Sequence, residues 1–178
     1  MQRDERIHML GVNYRSSPIV LDKFTHAEPV SAYGVLEEGV LVAGDRAPDA
    51  PELAFALGGG EAINDSGGEG TRLFDLFCPV YHVVLMFVLD AASTVDVVAV
   101  LKKYPAGIIR LVVVLPQGSE VSGGAQADVV VDRGGHAYRA YLVVKGEKKT
   151  VVVRPDGVVG AIVHGVEGLE QYFSKIFV

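Results

Sequence analysis

A single thiol and five imidazoles are the most reactive side chains in this 178-residue chain. The thiol, Cys78, stands in "LFCPV" between Phe77 and Pro79, and no CxxC pair exists. A lone cysteine between an aromatic residue and a proline is expected to act as a small buried hydrophobe rather than as a nucleophile. Without a second cysteine there is no internal disulfide, which fits a reducing compartment. The histidines His8, His26, His82, His136 and His164 never fall four residues apart or beside carboxylates at metal-ligand spacing, so no metal site is expected. The glycine-rich stretch "GGGEAINDSGGEG" (58–70) fails the dinucleotide pattern, because Ile63 and Leu73 stand where its last glycine must be. It reads as a mobile surface loop. Neither a G-x-x-x-x-G-K-[ST] nor a G-x-S-x-G motif occurs. The densest polar turn is "GDRAPDAP", where Asp45, Arg46 and Asp49 are expected to form an internal Arg–Asp salt bridge. The residues alone thus identify no catalytic, cofactor-binding or metal-binding group.

The charge balance narrows the partners. A net charge of −6 with a pI near 5.3 disfavours nucleic acid, whose phosphates need a local excess of Lys and Arg. The basic clusters "LKK" (101–103) and "KGEKK" (145–149) are too small to change this, and the second reads as a solvated loop. The N-terminus "MQRDERIHML" is too charged for a secretory signal. The longest apolar run, Val83 to Leu89, is far below the ~20 residues of a membrane span. A soluble cytoplasmic protein with no membrane partner is expected.

Any site must be held by the ordered elements. Residues 1–38 are weakly periodic and read as an N-terminal arm or linker, and 39–178 as one domain. "YHVVLMFVL" (81–89) and "GIIRLVVVL" (107–115) have the continuous apolar pattern of strands covered on both faces. Between them "STVDVVAVLKKY" (93–104) reads as a helix capped by Ser93, with Asp96 at capping-box spacing and Lys102 and Lys103 at its end. The βαβ unit so formed makes its two strands parallel through a right-handed crossover. "ADVVVD" (127–132) is a short apolar run, and "GHAYRAYLV" (135–143) a helix of one or two turns. "KTVVVRPDGVVGAIVHG" is a β-hairpin, since Pro155 presets φ and Gly157 tolerates a positive φ. In the last segment Leu169, Tyr172, Phe173 and Ile176 share one helix face.

The order β-α-β, short helix, β-hairpin, helix is that of the thioredoxin-like α/β fold, a mixed central sheet with helices on both faces. In enzymes of that fold the reactive cysteine follows the first strand of the βαβ unit, where helix N–H groups and the helix dipole lower its pKa. Here that place reads "LDAASTVD" (89–96), without a thiol, while Cys78 precedes the strand and falls at its other end.

Several segments together resemble a known family. "LGVNYRSSPIV" (10–20), "GDRAPDAPEL" (44–53), "TRLFDLF" (71–77), "VVVRPDGVVG" (151–160) and "GLEQYFSKIF" (168–177) are similar in order and spacing to the C-terminal region of flavin-dependent aromatic hydroxylases of the phenol 2-monooxygenase type. The resemblance implies a thioredoxin-like domain without redox cysteines that serves subunit association and stability. The flavin and substrate domains of those enzymes have no counterpart here, so neither hydroxylase activity nor FAD is implied.

On these grounds the expected function is that of a non-catalytic association domain and not an enzyme. It would form a homodimer, or dock on a flavin-dependent hydroxylase, with no cofactor. One alternative is a small-ligand or carbohydrate binder using Tyr14, Tyr33, Tyr138 and Tyr141 as stacking surfaces. The other is a residual thiol redox enzyme using Cys78.

Overall fold

The computed structural model describes residues 12–25, 40–56, 70–119, 127–144 and 146–177. Seven strands form one sheet: β1 (Leu21–Asp22), β2 (Leu53–Phe55), β3 (His82–Phe87), β4 (Ile109–Pro116), β5 (Asp128–Asp132), β6 (Lys149–Val153) and β7 (Val159–Val163). Three α-helices accompany them: α1 (Val95–Leu101), α2 (His136–Ala140) and α3 (Gly165–Phe173). The strand order is β1-β7-β6-β3-β4-β5-β2. Strands β3, β4 and β5 are mutually parallel, whereas β6 runs antiparallel to both β3 and β7.

The apolar runs become central strands because side chains alternate across a pleated sheet and both faces here are covered. Val83, Leu85 and Phe87 point into one layer with Val112, Val114, Val151 and Val153, beneath Tyr141 and the segment Leu41–Leu53. Val84, Met86 and Val88 point into the other, against Val97 of α1 and Leu169, Tyr172 and Phe173 of α3. Helices α1 and α3 therefore share one face, where Lys103 Nζ reaches Glu170 at 2.6 Å. In α3 the expected apolar face is present: Leu169, Tyr172 and Phe173 are fully buried, while Ile176 lies beyond the helix and is half-buried. The turn of the β6–β7 hairpin has Gly157 at φ +77°.

Three local readings differ from the sequence. The first turn after β3 is capped by Asp90, whose side chain accepts from Ser93 N at 3.0 Å, and the helix proper begins only at Val95. Ser93 is thus the capped residue and not the cap. "ADVVVD" supplies a full parallel strand, extended at the sheet edge by β2. Part of the stretch expected as an arm, residues 12–25, lies along the sheet: β1 pairs in parallel with β7, and Val20 and Phe24 pack on the core. The remainder of that stretch, the boundary at 38/39 and the glycine-rich loop 58–69 lie outside the described residues.

Candidate functional site

At the C-terminal ends of the central strands the fold presents the turn Asp90–Thr94. Tyr138 Oη donates to the carbonyls of Val88 and Val114, both at 3.0 Å, and so ties the ends of β3 and β4 together. Burial, followed by the negative charge of Asp132, pushes the Tyr138 hydroxyl far above its usual pKa. The turn itself holds a hydroxyl, not a thiol: Ser93 Oγ lies 3.2 Å from Asp90 Oδ2 and accepts from Lys148 Nζ at 3.2 Å. A serine so engaged can neither form a disulfide nor reduce one.

The thiol lies at the opposite end. Cys78 stands four residues before β3, in a bow that runs from the 3₁₀ turn Leu73–Leu76 to Tyr81. It is half-buried rather than buried, so the expectation of an enclosed small hydrophobe is corrected. The reason is local: Leu73 and Leu76 anchor the 3₁₀ turn in the core, and the chain must then leave the core to reach β3. Phe74 and Val80, on either side of Cys78, are 51% and 69% exposed. Both ends of the bow meet at one carbonyl. Leu76 O accepts from Arg110 Nη1 at 3.3 Å and from Tyr81 Oη at 3.4 Å.

Arg110 organises this end of the sheet. Its Nε donates to Asp128 Oδ2 at 2.6 Å, its Nη1 also reaches Tyr81 Oη at 3.0 Å, and its guanidinium lies 5.9 Å from the Tyr81 ring centre. The strand register explains the ion pair. Val112 of β4 faces Asp128 of β5, so Arg110, two residues upstream on the same face, reaches it diagonally. Desolvation would lower the pKa of this arginine, but the bonds to Asp128 and Tyr81 outweigh it and raise it instead. Beside the pair lies an open cleft of about 480 Å³, lined by Tyr81, Gly107, Ile109, Arg110, Leu111, Ala127 and Asp128.

The other candidates disperse. The three histidines within the described residues stand apart: His82 packs edge-on against Phe173 and Phe177, His136 meets Glu52 at 3.4 Å, and His164 stacks on Phe24 at 3.8 Å. His8, His26 and Tyr33 lie outside the described residues. The internal Asp–Arg46 bridge does not form. Asp45 instead pairs with Arg15 at 2.6 Å and Asp49 with Arg72, because Arg46 is exposed and its backbone bridges to Val158. Of the tyrosines proposed for stacking, Tyr141 is buried, Tyr138 is committed to the strand ends, and Tyr14 is exposed beneath Arg154. Lys149 is buried, its Nζ donating to the carbonyls of Tyr141 and Leu142, so the basic stretch 145–149 is not wholly a solvated loop.

His82 gives a pH signature. Burial first, then the positive charge of Arg154, holds its imidazole below the usual 6.5. The unfolded chain therefore takes up this proton first, and the stability present above about pH 6.5 is lost as the pH falls below it. Urea midpoints are expected to drop less between pH 7 and pH 5 in His82→Phe than in the parent. Equal drops would remove His82 as the cause.

No family model and no curated protein matches the chain. Solved structures do. The thioredoxin domain of a thiol-disulfide oxidoreductase from Bacteroides vulgatus is 15% identical, with 78% of this chain and 100% of that one covered and a TM-score of 0.52. A thiol:disulfide interchange protein from Bacteroides sp. is also 15% identical, with coverage of 78% and 91% and the same TM-score of 0.52. A reduced 2-Cys peroxiredoxin from Plasmodium vivax is 16% identical, with coverage of 75% and 95% and a TM-score of 0.51. The fold is thioredoxin-like. What this likeness establishes is the fold, as the sequence predicts. It also overturns the expectation of a non-catalytic association domain that is not an enzyme, because the three structures named are a thiol-disulfide oxidoreductase domain, a thiol:disulfide interchange protein and a peroxiredoxin. None of the three is a flavin-dependent hydroxylase, so the finer resemblance gains no support from them. Among the described residues no helix is long and apolar enough to cross a membrane.

Sequence reasoning missed Arg110, Tyr81 and Asp128. One signal was present: Arg110 is the only charge in "GIIRLVVVL", where a buried strand has no use for one unless it finds a partner. The partner follows only from the register of β4 on β5.

Proposed function

We propose that this thioredoxin-like chain is a single-thiol redox protein whose reactive sulfur is Cys78. The observation that carries the reading is the half-exposed position of the chain's one cysteine, on a bow pinned at Leu76 O by Arg110 and Tyr81. Thiol redox chemistry in the proteins sharing the fold supports it. So does the exposed apolar frame of Phe74 and Val80, which suits the body of a disulfide-bearing partner. A reducing compartment such as the cytoplasm suits a lone thiol of this kind. The segments that resemble the phenol 2-monooxygenase C-terminal region fit descent from a thioredoxin-like domain of that sort.

The chemistry is exchange through a mixed disulfide. The Cys78 thiolate attacks one sulfur of R–S–S–R. The Cys78–S–S–R bond forms as the S–S bond of the substrate breaks, and RS⁻ leaves. A second external thiol then attacks the mixed disulfide, restores Cys78 and carries R away as a new disulfide. The external thiol is required because the chain holds one cysteine.

The test is the rate of adduct formation with bis(2-hydroxyethyl) disulfide at pH 7, followed by intact mass. One adduct per chain is expected, absent in Cys78→Ser, reversed by dithiothreitol, and formed at least ten times faster than on a free peptide "LFCPVY". A rate no greater than that of the peptide would reduce Cys78 to an ordinary surface thiol and overturn the reading.

A further inference from the structure

We infer that the cleft between Tyr81 and Asp128 receives the end of a small disulfide that bears both a carboxylate and an ammonium group, an inference that rests on the single-thiol reading above. Two charged groups decide the ligand class. Arg110 spends Nε on Asp128 and Nη1 on Leu76 O and Tyr81 Oη, which leaves Nη2 without a hydrogen bond among the described residues. Asp128 receives Arg110 on Oδ2 alone, which leaves its second oxygen open in the same way. Both side chains are partly exposed, at 30% and 40%, and both line the cleft.

A free donor and a free acceptor thus stand side by side across one ion pair. A purely anionic ligand would meet Arg110 but face the Asp128 carboxylate. A purely cationic one would meet Asp128 but face the guanidinium. A group with carboxylate and ammonium on one carbon matches both, the guanidinium taking the carboxylate and the aspartate the ammonium. Ile109, Leu111 and Ala127 offer apolar contact to its short carbon stem, and about 480 Å³ is within the ordinary range for small-molecule sites.

The thiol is within reach. Cys78 stands two positions after Leu76, a span of at most about 7 Å between their Cα atoms, and the Leu76 carbonyl is 3.3 Å from Arg110 Nη1. A ligand anchored on Arg110 and Asp128 therefore needs only a few atoms of stem to bring a sulfur toward Cys78. The Cys78 thiolate attacks that sulfur, the ligand's S–S bond breaks, and the outer half departs as a thiolate that takes its proton from water. The zwitterionic half stays bonded to Cys78 until an external thiol displaces it.

The experiment compares four disulfides on the full chain at pH 7 by intact mass: cystine, cystamine, 3,3′-dithiodipropionate and bis(2-hydroxyethyl) disulfide. Each rate is divided by that of the free peptide "LFCPVY" with the same reagent. Cystine is expected to lead the other three by tenfold or more, and both Arg110→Gln and Asp128→Asn to bring it down to the neutral disulfide. Asp128→Asn leaves the Arg110–Leu76 bond in place, so its result does not depend on the bow staying folded in Arg110→Gln. Cystine no faster than the neutral disulfide, with both ahead of the peptide, overturns the cleft inference and leaves the single-thiol reading standing. If no disulfide outpaces the peptide, that reading falls, and S-methylcysteine decides the cleft alone. Amide shifts at Arg110 and Asp128 on its addition support a zwitterion site, and their absence overturns it.

Discussion

Gly44→Ala is expected to cost about 2–6 kcal/mol of stability, the sum of backbone strain and overpacking of about 1–3 kcal/mol each. Gly44 has φ +102°, a region that side chains rarely adopt. A Cβ there would lie 2.4 Å from Arg15 N and 2.5 Å from the Tyr14 carbonyl carbon, and both are backbone atoms that cannot swing aside. The crowding has a purpose. Gly44 O accepts from Tyr14 N and Gly44 N donates to Val159 O, both at 2.7 Å, so three stretches of chain cross at one residue without a side chain. Gly107→Ala is the control: its φ is +83° but nothing lies within 4 Å of the added Cβ. Urea unfolding of the two variants separates the terms, and equal losses would show that the close approach contributes nothing.

Asp45→Ala is expected to cost about 3–5 kcal/mol, the usual penalty for leaving one partner of a buried pair alone. The Asp45 side chain is 0% exposed and that of Arg15 10% exposed. The carboxylate accepts from Arg15 Nε at 2.6 Å, from Arg15 Nη2 at 3.2 Å and from Val42 N at 2.9 Å. Removing it strands a guanidinium and a backbone N–H in the protein interior. Arg15→Met combined with Asp45→Ala should therefore be less destabilised than the two single losses added together. Additive losses in denaturant titrations would mean that the two groups do not act as a pair.

The central sheet was legible because its strands are covered on both faces and so carry the apolar runs 83–89 and 111–115. The hairpin was equally plain from Pro155 and Gly157, and α3 from the spacing of Leu169, Tyr172 and Phe173. Less of the site could be read. Asp45 finds Arg15, thirty positions away, rather than the adjacent Arg46. Asp49 finds Arg72 in the same way. Local spacing favours neighbours, whereas tertiary folding brings distant charges together once the backbone decides which face each occupies. The pairing of Arg110 with Asp128 rests on strand register, which an apolar run such as "VVV" does not specify. Cys78 was misjudged for a related reason: its neighbours in the chain are apolar, but Phe74 and Val80 do not enter the core.

The pairing of β1 with β7 sets an order of events during synthesis. Leu21 faces Ala161 and Asp22 faces Ile162, so among the described residues the first strand of the sheet pairs with one near the far end of the sequence. At about 5–20 residues per second, translation leaves β1 waiting on the order of ten seconds for that partner to emerge. Val20 and Phe24, on either side of β1, pack on the core in the folded chain, and their strand cannot pair with β7 before β7 is made. The pairing of β1 in the sheet therefore cannot be completed until β7, some 140 positions later, has been made.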